Sequence, residues 1–475
     1  MENQRSMNEV LKLQREHFLK EGPPSYELRI DRLSRVQDMV IQNKDRITEA
    51  LNADFGTRSQ NQSLISDVYG VLPAFSHAKK HLKSWMKDEK RKSNFPFSLL
   101  GAKSYIHREP LGIIGMISPW NFPMYLSLAP LAGIFSAGNQ VMHKPSEFTP
   151  ITSELLKEIC DSSFDEIEFA TFLGGPDVGE SFTKLKFDHL LFTGSGNIGK
   201  HVMRAAADNL VPLTLELGGK SPVIVSDSSN IDITARRVMF NKTLNAGQIC
   251  LAPDYVYVHE TEKDNFVEAC KKQVNNFYSD LKYNPDYTSV INQKHYDRLN
   301  GLLSDAKDHG AEIVEINPAD EDFSQQESHK IPPTLVLNPN DDMQIMKEEI
   351  FGPLLPIKTY TDINEPINYI NKNDKPLGLY YFGNNKSEQS KVVNSTTSGG
   401  VTVNDIMGHI QQNELGFGGV GPSGMGKYDG FDGFMNFSNN KPIYKQISFR
   451  LDKALDAIRP PYKGSLQGVL EKLLK

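Results

Sequence analysis

The chain has 475 residues, of which 39% are hydrophobic and 23% charged. That is too long for one small core and too apolar for a disordered chain, so two or three closely packed domains are expected. The net charge of −7 leaves no global basic footprint for nucleic acid, and no stretch stays apolar for the ~18 residues of a membrane span.

The polar N-terminus reads as a helix and lacks the apolar core of a signal peptide. Three cysteines, Cys160, Cys250 and Cys270, make a poor disulfide framework and suit a reducing compartment. A cytoplasmic protein without a transmembrane segment is expected, and no metal site is expected. Residues 8–92 read as helical. The strongest segment spans 26–56, with Leu28, Leu33, Val36, Met39, Val40, Ile47 and Leu51 at three- and four-residue steps. The basic run at 79–92 reads as a solvated helix face rather than a nucleic-acid patch, and Pro96 closes the helical run.

Residues 102–110, AKSYIHREP, alternate polar and apolar side chains like a half-exposed strand. From Gly112 the pattern becomes strand–helix alternation. GIIGMIS reads as a buried strand, FPMYLSLAPLAGIFSAG as one helix stopped by Gly138, and NQVMHK as the next strand. ITSELLKEIC is a helix, FDHLLFT a strand, NIGKHVMRAAAD a helix, and PLTLEL and SPVIVS further strands. Such alternation implies a parallel α/β sheet. A second α/β series starts near Leu217, with strands at YVYVH and PLLPIKTY and a helix at DNFVEACKKQVNNF. Residues 317–330 read as a polar surface loop, 443–449 (IYKQISF) as a second β-arm, and SLQGVLEKLLK as a short amphipathic tail helix. Each β-arm needs a partner strand, supplied either across a subunit interface or by a local hairpin cap.

Gly194-Ser-Gly196-Asn-Ile-Gly199 follows a strand and opens a helix. It spells G-x-G-x-x-G, a pattern that brings backbone close to a pyrophosphate at a helix N-terminus. Glu216 falls near the position of a ribose-binding acid. However, the loop comes after two or more strand–helix units, and Glu216 sits where a strand runs into the Gly218-Gly219 turn. The spelling alone is weak support. Cys250, in LNAGQICLAPDY, lies on a loop or helix start between Gly247 and Pro253. A lone cysteine reads first as a buried structural residue; a nucleophile needs access and a base nearby. Glu216 is one candidate for that base.

Six motifs occur in one order: SPWNFP (118–123), HKPSE (143–147), FTGSGNIG (192–199), LELGGKSP (215–222), GQIC (247–250) and EEIFGP (348–353). Through them the chain resembles the aldehyde dehydrogenase superfamily over essentially its whole length. CLAPDY, VNDIMGH (403–409) and FGGVGPSGMGKYDG (417–430) make it most similar to the class-3 branch, including bacterial coniferyl aldehyde dehydrogenases.

The resemblance implies an α/β fold with two open α/β domains. A Rossmann-like NAD(P)-binding domain would comprise 1–97 and 112–217, and a catalytic domain 218–430. The β-arms for oligomerisation would be 98–111 and 435–450, followed by a tail at 451–475. It implies that Cys250 is the thiolate nucleophile, Glu216 the general base for water, and Asn121 a donor to the substrate oxygen. Lys144 and Glu147 would hold the adenosine ribose, with Ser118, Pro119, Trp120, Ser146 and Leu217 also at the cofactor. Gly194, Ser195 and Gly199 would meet the pyrophosphate, Glu349 the nicotinamide ribose, and Phe351 the nicotinamide. Phe122, Tyr125 and Leu126 would line the aldehyde channel or simply pack the helix.

The ribose acid then moves from Glu216 to Glu147, whose carboxylate favours NAD while leaving NADP possible. The sequence departs from many members at Gly196, where they carry Thr, and at Leu251 after the nucleophile. The implied activity is oxidation of an aromatic or medium-to-long aliphatic aldehyde to the acid, by a homodimer. The alternatives are a CoA-acylating enzyme, expected to lack Glu216, and a non-catalytic structural protein on the same fold.

Overall fold

The computed structural model describes residues 5–95 and 97–449, and beyond them residues 452, 453, 456, 459, 460, 468, 470, 471 and 474. Pro96 and most of the expected tail helix lie outside the described residues.

Four long helices open the chain: Met7–Glu21, Tyr26–Gln42, Lys44–Phe55 and Leu72–Trp85. Ser6 starts the first through a capping box with Glu9, and the Ser25 hydroxyl caps the second. The segment expected to be continuous over 26–56 is interrupted at Asn43, which leaves helical geometry at φ −106 and ψ 13. The helical run also ends before Lys92. Residues Glu89–Arg91 form a strand, so only part of the basic run is on a helix.

The first sheet has the order Gly424–Met425, Leu213–Leu217, His189–Gly194, Ile113–Ile117, Gln140–Lys144 and Phe169–Thr171. All its pairs are parallel except the first. Ile113–Ile117 and Gln140–Lys144 are buried almost throughout, which is why they read as continuous apolar runs. From Ile113–Ile117 the chain moves outward through two strands, then returns to its other side with His189–Gly194. The strand order therefore reverses between these two neighbours. The segments leaving their carboxyl ends diverge there, and in open α/β sheets that crevice is where ligands bind.

The expected helix over 122–138 is two helices, Pro123–Leu128 and Leu131–Ala137. Pro130 has no N–H to continue the ladder. Gly138 ends the second at φ 93, the left-handed cap that glycine favours.

The second sheet runs Glu312–Glu315, Thr334–Leu337, Leu354–Tyr360, Tyr255–His259, Pro222–Val225, Gly378–Phe382 and Gly400–Val403, again parallel except for its first pair. Residues 317–330 carry no helix or strand, as expected, although Lys330 at their end is buried and donates to the Leu281 and Asn284 carbonyls. The two β-arms pair with each other inside the chain. Lys103–Pro110 runs antiparallel to Ser438–Lys445, and Glu89–Arg91 lies on the other edge. The second arm is therefore displaced from 443–449, because its register is fixed by eight pairs from Ser438↔Pro110 to Lys445↔Lys103. Among the described residues no helix is long and apolar enough to cross a membrane.

Candidate active site

Cys250 sits on a loop entered through a strained turn. Asn245 and Ala246 hold φ 51, and Gly247 holds φ 71. Left-handed backbone at non-glycine residues costs roughly 1–2 kcal/mol each. The turn is held by its surroundings. The Asn245 N–H donates to Gln62 Oε1 at 3.0 Å, and Gln248 Nε2 donates to the Asn245 and Ser289 carbonyls at 2.9 and 3.0 Å. A Cβ on Gly247 would stand 2.3 Å from the Gly352 carbonyl. GQIC and EEIFGP thus pack backbone to backbone, which requires glycine at position 247.

Asn121 is buried and shares the Cys250 loop. Its Nδ2 donates to the Gln248 carbonyl at 3.1 Å, the one bond that nitrogen makes among the described residues. Its own carbonyl accepts from Arg58 Nη1 at 2.8 Å and from Asn245 Nδ2 at 3.1 Å. Arg58 in turn forms a fully buried ion pair with Asp67 at 2.6 Å and stacks against Phe55 and Phe122. Asp67 Oδ1 accepts the amides of Met124 and Tyr125, both at 3.2 Å. The pair therefore ties Asn121 to the start of the helix Pro123–Leu128. Truncating one member of a buried pair strands the other charge, at about 3–5 kcal/mol. Arg58→Ala should lose that much stability in urea unfolding. A loss below about 1 kcal/mol would mean that the pair does not hold this corner.

Glu216 lies on the strand Leu213–Leu217, paired with Thr193 on one side and Gly424 on the other. It is buried, and among the described residues no N–H or O–H donor reaches either carboxylate oxygen. Burial above all, then the Asp429 carboxylate, pushes its pKa well above the ordinary range, while contact with the Cys250 thiol pulls the other way. The Cys250 thiol is itself pushed up, first by desolvation, then by Glu216 and Glu349; the amides of Cys250 and Leu251 oppose this. Glu349 is pushed up to about 8, chiefly by burial. It lies so close to Gly218 that a Cβ there would stand 2.2 Å from Glu349 Oε2.

A cavity of about 860 Å³ joins these groups. Of the residues expected at the site, its wall includes Asn121, Glu216, Cys250, Pro119, Trp120, Leu126, Gly194, Ser195, Gly199, Leu217, Glu349 and Phe351. Its lining includes both Cys250 and the N-terminus of the helix Gly196–Ala207, which Ser195 caps. Gly199 is pressed against Leu217, whereas a Cβ on Gly196 would meet nothing within 4 Å. The departure at Gly196 therefore leaves open space beside the pyrophosphate-type loop. A dinucleotide fits this setting. The cavity lies at the sheet's switch point, a helix N-terminus opens into it, and Glu349 Oε1 and His295 Nδ1 are buried there without partners.

Six expected residues are not on the cavity wall. Ser118 is buried, its hydroxyl 2.7 Å from Ser127 Oγ and 2.8 Å from His143 Nε2, so its side chain serves the core and does not face a cofactor. Phe122 and Tyr125 are half-buried against the first core, where Phe122 covers Arg58. Lys144 is buried and paired with the exposed Glu147 at 2.7 Å, at the end of the strand Gln140–Lys144. Ser146 Oγ accepts the Phe148 amide.

Conversely, sequence reasoning passed over Arg58, Asp67 and His295. The His295 ring lies 5.2 Å from the Trp120 ring, which also meets Phe351 edge-on at 5.4 Å. The His295 pKa is pushed down to about 4, mainly by burial. Helix spacing gave no signal for any of them.

A switch-point cavity holding a thiol, a buried carboxyl and an amide donor defines an enzyme of covalent carbonyl chemistry on a dinucleotide-binding type of fold. The profile of the aldehyde dehydrogenase family matches residues 8–443, and the chain belongs to that family. It is an oxidoreductase acting on the aldehyde group.

It is 51% identical to a probable coniferyl aldehyde dehydrogenase of Caulobacter vibrioides, covering 99% of this chain and 97% of that one. It is 48% identical to a coniferyl aldehyde dehydrogenase of Pseudomonas sp., covering 96% and 94%. Among solved structures, a substrate-bound AldH of Staphylococcus aureus superposes with a TM-score of 0.92 at 36% identity, covering 99% and 100%. A betaine aldehyde dehydrogenase of the same organism, in complex with NAD+, gives 0.82 at 25% identity, covering 93% and 87%.

Proposed function

We propose that the chain is an NAD(P)-dependent dehydrogenase that oxidises an aromatic aldehyde of the coniferyl type to its carboxylic acid. The observation that carries this reading is that Cys250, Glu216 and Asn121 line one cavity together with a helix N-terminus. The relatives' names support the substrate class, and the NAD+ complex supports the cofactor.

In this reading the Cys250 thiolate attacks the carbonyl carbon, and the Asn121 side-chain amide and the Cys250 N–H stabilise the oxyanion. A bound nicotinamide would supply the hydride acceptor that lets the Cys250 thiohemiacetal become a thioester. Glu216 then takes a proton from water, which hydrolyses the thioester. Residues 1–97 and 112–217 form the cofactor domain and 218–430 the catalytic domain. The Gly194–Gly199 backbone would hold the pyrophosphate, Lys144 and Glu147 the adenosine ribose, and Glu349 and Phe351 the nicotinamide ribose and ring. Leu126, with Phe122 and Tyr125 behind it, shapes the aldehyde end. The assembly is a cytoplasmic homodimer built on the β-arms.

NADH formation should be fastest with cinnamaldehyde-type substrates when tested beside benzaldehyde, octanal and acetaldehyde, with NAD the better cofactor by kcat/KM. A marked preference for octanal would overturn the aromatic assignment.

A further inference from the structure

A second cluster of ligand-type side chains lies outside the active-site cavity. His77 and His81 are four residues apart on the helix Leu72–Trp85, on one face, with ring centroids 4.5 Å apart. Glu414 arrives from the loop after Gly400–Val403. One of its oxygens lies 3.5 Å from His77 Nε2. One ligand atom from each residue falls within 4.8 Å of the other two. Both imidazoles are half-buried, and Glu414 is exposed.

We propose that His77, His81 and Glu414 form a binding site for a divalent metal ion of the zinc type, with water completing the coordination. Two histidines at i and i+4 on a helix, plus one carboxylate, make a zinc ligand set. With metal–ligand bonds near 2.0–2.1 Å, tetrahedral ligands stand roughly 3.4 Å from each other. The His77–Glu414 spacing already matches that edge. Every pair of ligand atoms already lies within 4.8 Å, and Glu414 is an exposed side chain on a loop.

The groups facing the cluster are Trp85, whose ring lies 5.7 Å from His77 and 6.1 Å from His81, and Lys80, a cation that opposes metal binding. A bound ion would clasp the helix Leu72–Trp85 to the loop that carries Met407 and Ile410. Those two pack on the same core as Cys250, Phe122 and Tyr125. The site would therefore fix the loop beside the aldehyde end of the cavity.

Cys250 is a competing zinc ligand, so the test uses full-length Cys250→Ser protein titrated calorimetrically with Zn2+ alone. One equivalent per chain is expected. Adding His81→Gln or Glu414→Gln should each weaken binding by tenfold or more, since even the partners behind a metal ligand are worth ~10–100-fold. Glu414 is exposed, so its substitution leaves folding intact. Absence of zinc binding by Cys250→Ser, or unchanged affinity in either double variant, would overturn the site.

Discussion

Cys250→Ala is expected to abolish aldehyde-dependent NADH formation, by ~10⁴-fold or more, the scale on which removal of a nucleophile is felt in other covalent enzymes. The loss should come with little change in unfolding midpoint. The thiol is half-buried at the cavity wall, on the margin of the first core rather than within it. The other two cysteines are buried, Cys160 in the first core and Cys270 in the second, and their thiols are pushed up by burial. Neither can substitute.

The surroundings of Cys250 also set a direction for pH. Desolvation and the neighbouring carboxyls raise its pKa, so at pH 7 only a small fraction is thiolate. kcat/KM of the wild type should therefore climb with pH between about 7 and 9, by up to tenfold per unit while thiolate is scarce. A flat or falling profile would show that the bound cofactor reverses the shift, or that another step limits.

The sequence carried the interior of the fold better than its edges. Ile113–Ile117 and Gln140–Lys144 stand out because a sheet buried on both faces leaves continuous apolar runs. Phe169–Thr171, only three residues long, and Glu312–Glu315, half-exposed on a sheet edge, leave no such trace. Pro130 splits a helix that apolar spacing alone reads as continuous.

At the site, Cys250, Glu216 and Asn121 were legible because short motifs mark them. Arg58 was not. An arginine between Thr57 and Ser59 looks like a solvated residue, and only the fold brings Asp67 and the Asn121 carbonyl to it. The literal glycine fingerprint misled about Glu216. The loop follows the fourth strand of its sheet in chain order, and the acid is buried in contact with the Cys250 thiol.

Glu216→Gln is the sharper experiment, because it should split the reaction. Glutamine keeps the shape of the side chain on its strand. The substitution alters the contact with the Cys250 thiol but, like the protonated carboxyl that burial favours, glutamine carries no charge, so stability should change little. The thiol attack and the first NADH do not require a base for water, so one equivalent of NADH per active site should appear in a burst. Steady-state turnover should then fall by ~10²–10⁴, the usual worth of a positioned general base.

The raised pKa gives a second signature. A carboxyl whose pKa is raised is protonated at low pH and gains its basic form as pH increases. In the wild type, deacylation should therefore quicken with pH through that range, and the slow residual rate of Glu216→Gln should lack that rise. Unchanged steady-state turnover in the variant would remove Glu216 as the base. Recovery of wild-type turnover on adding CoA would show instead that the acyl group leaves to a thiol, with water excluded.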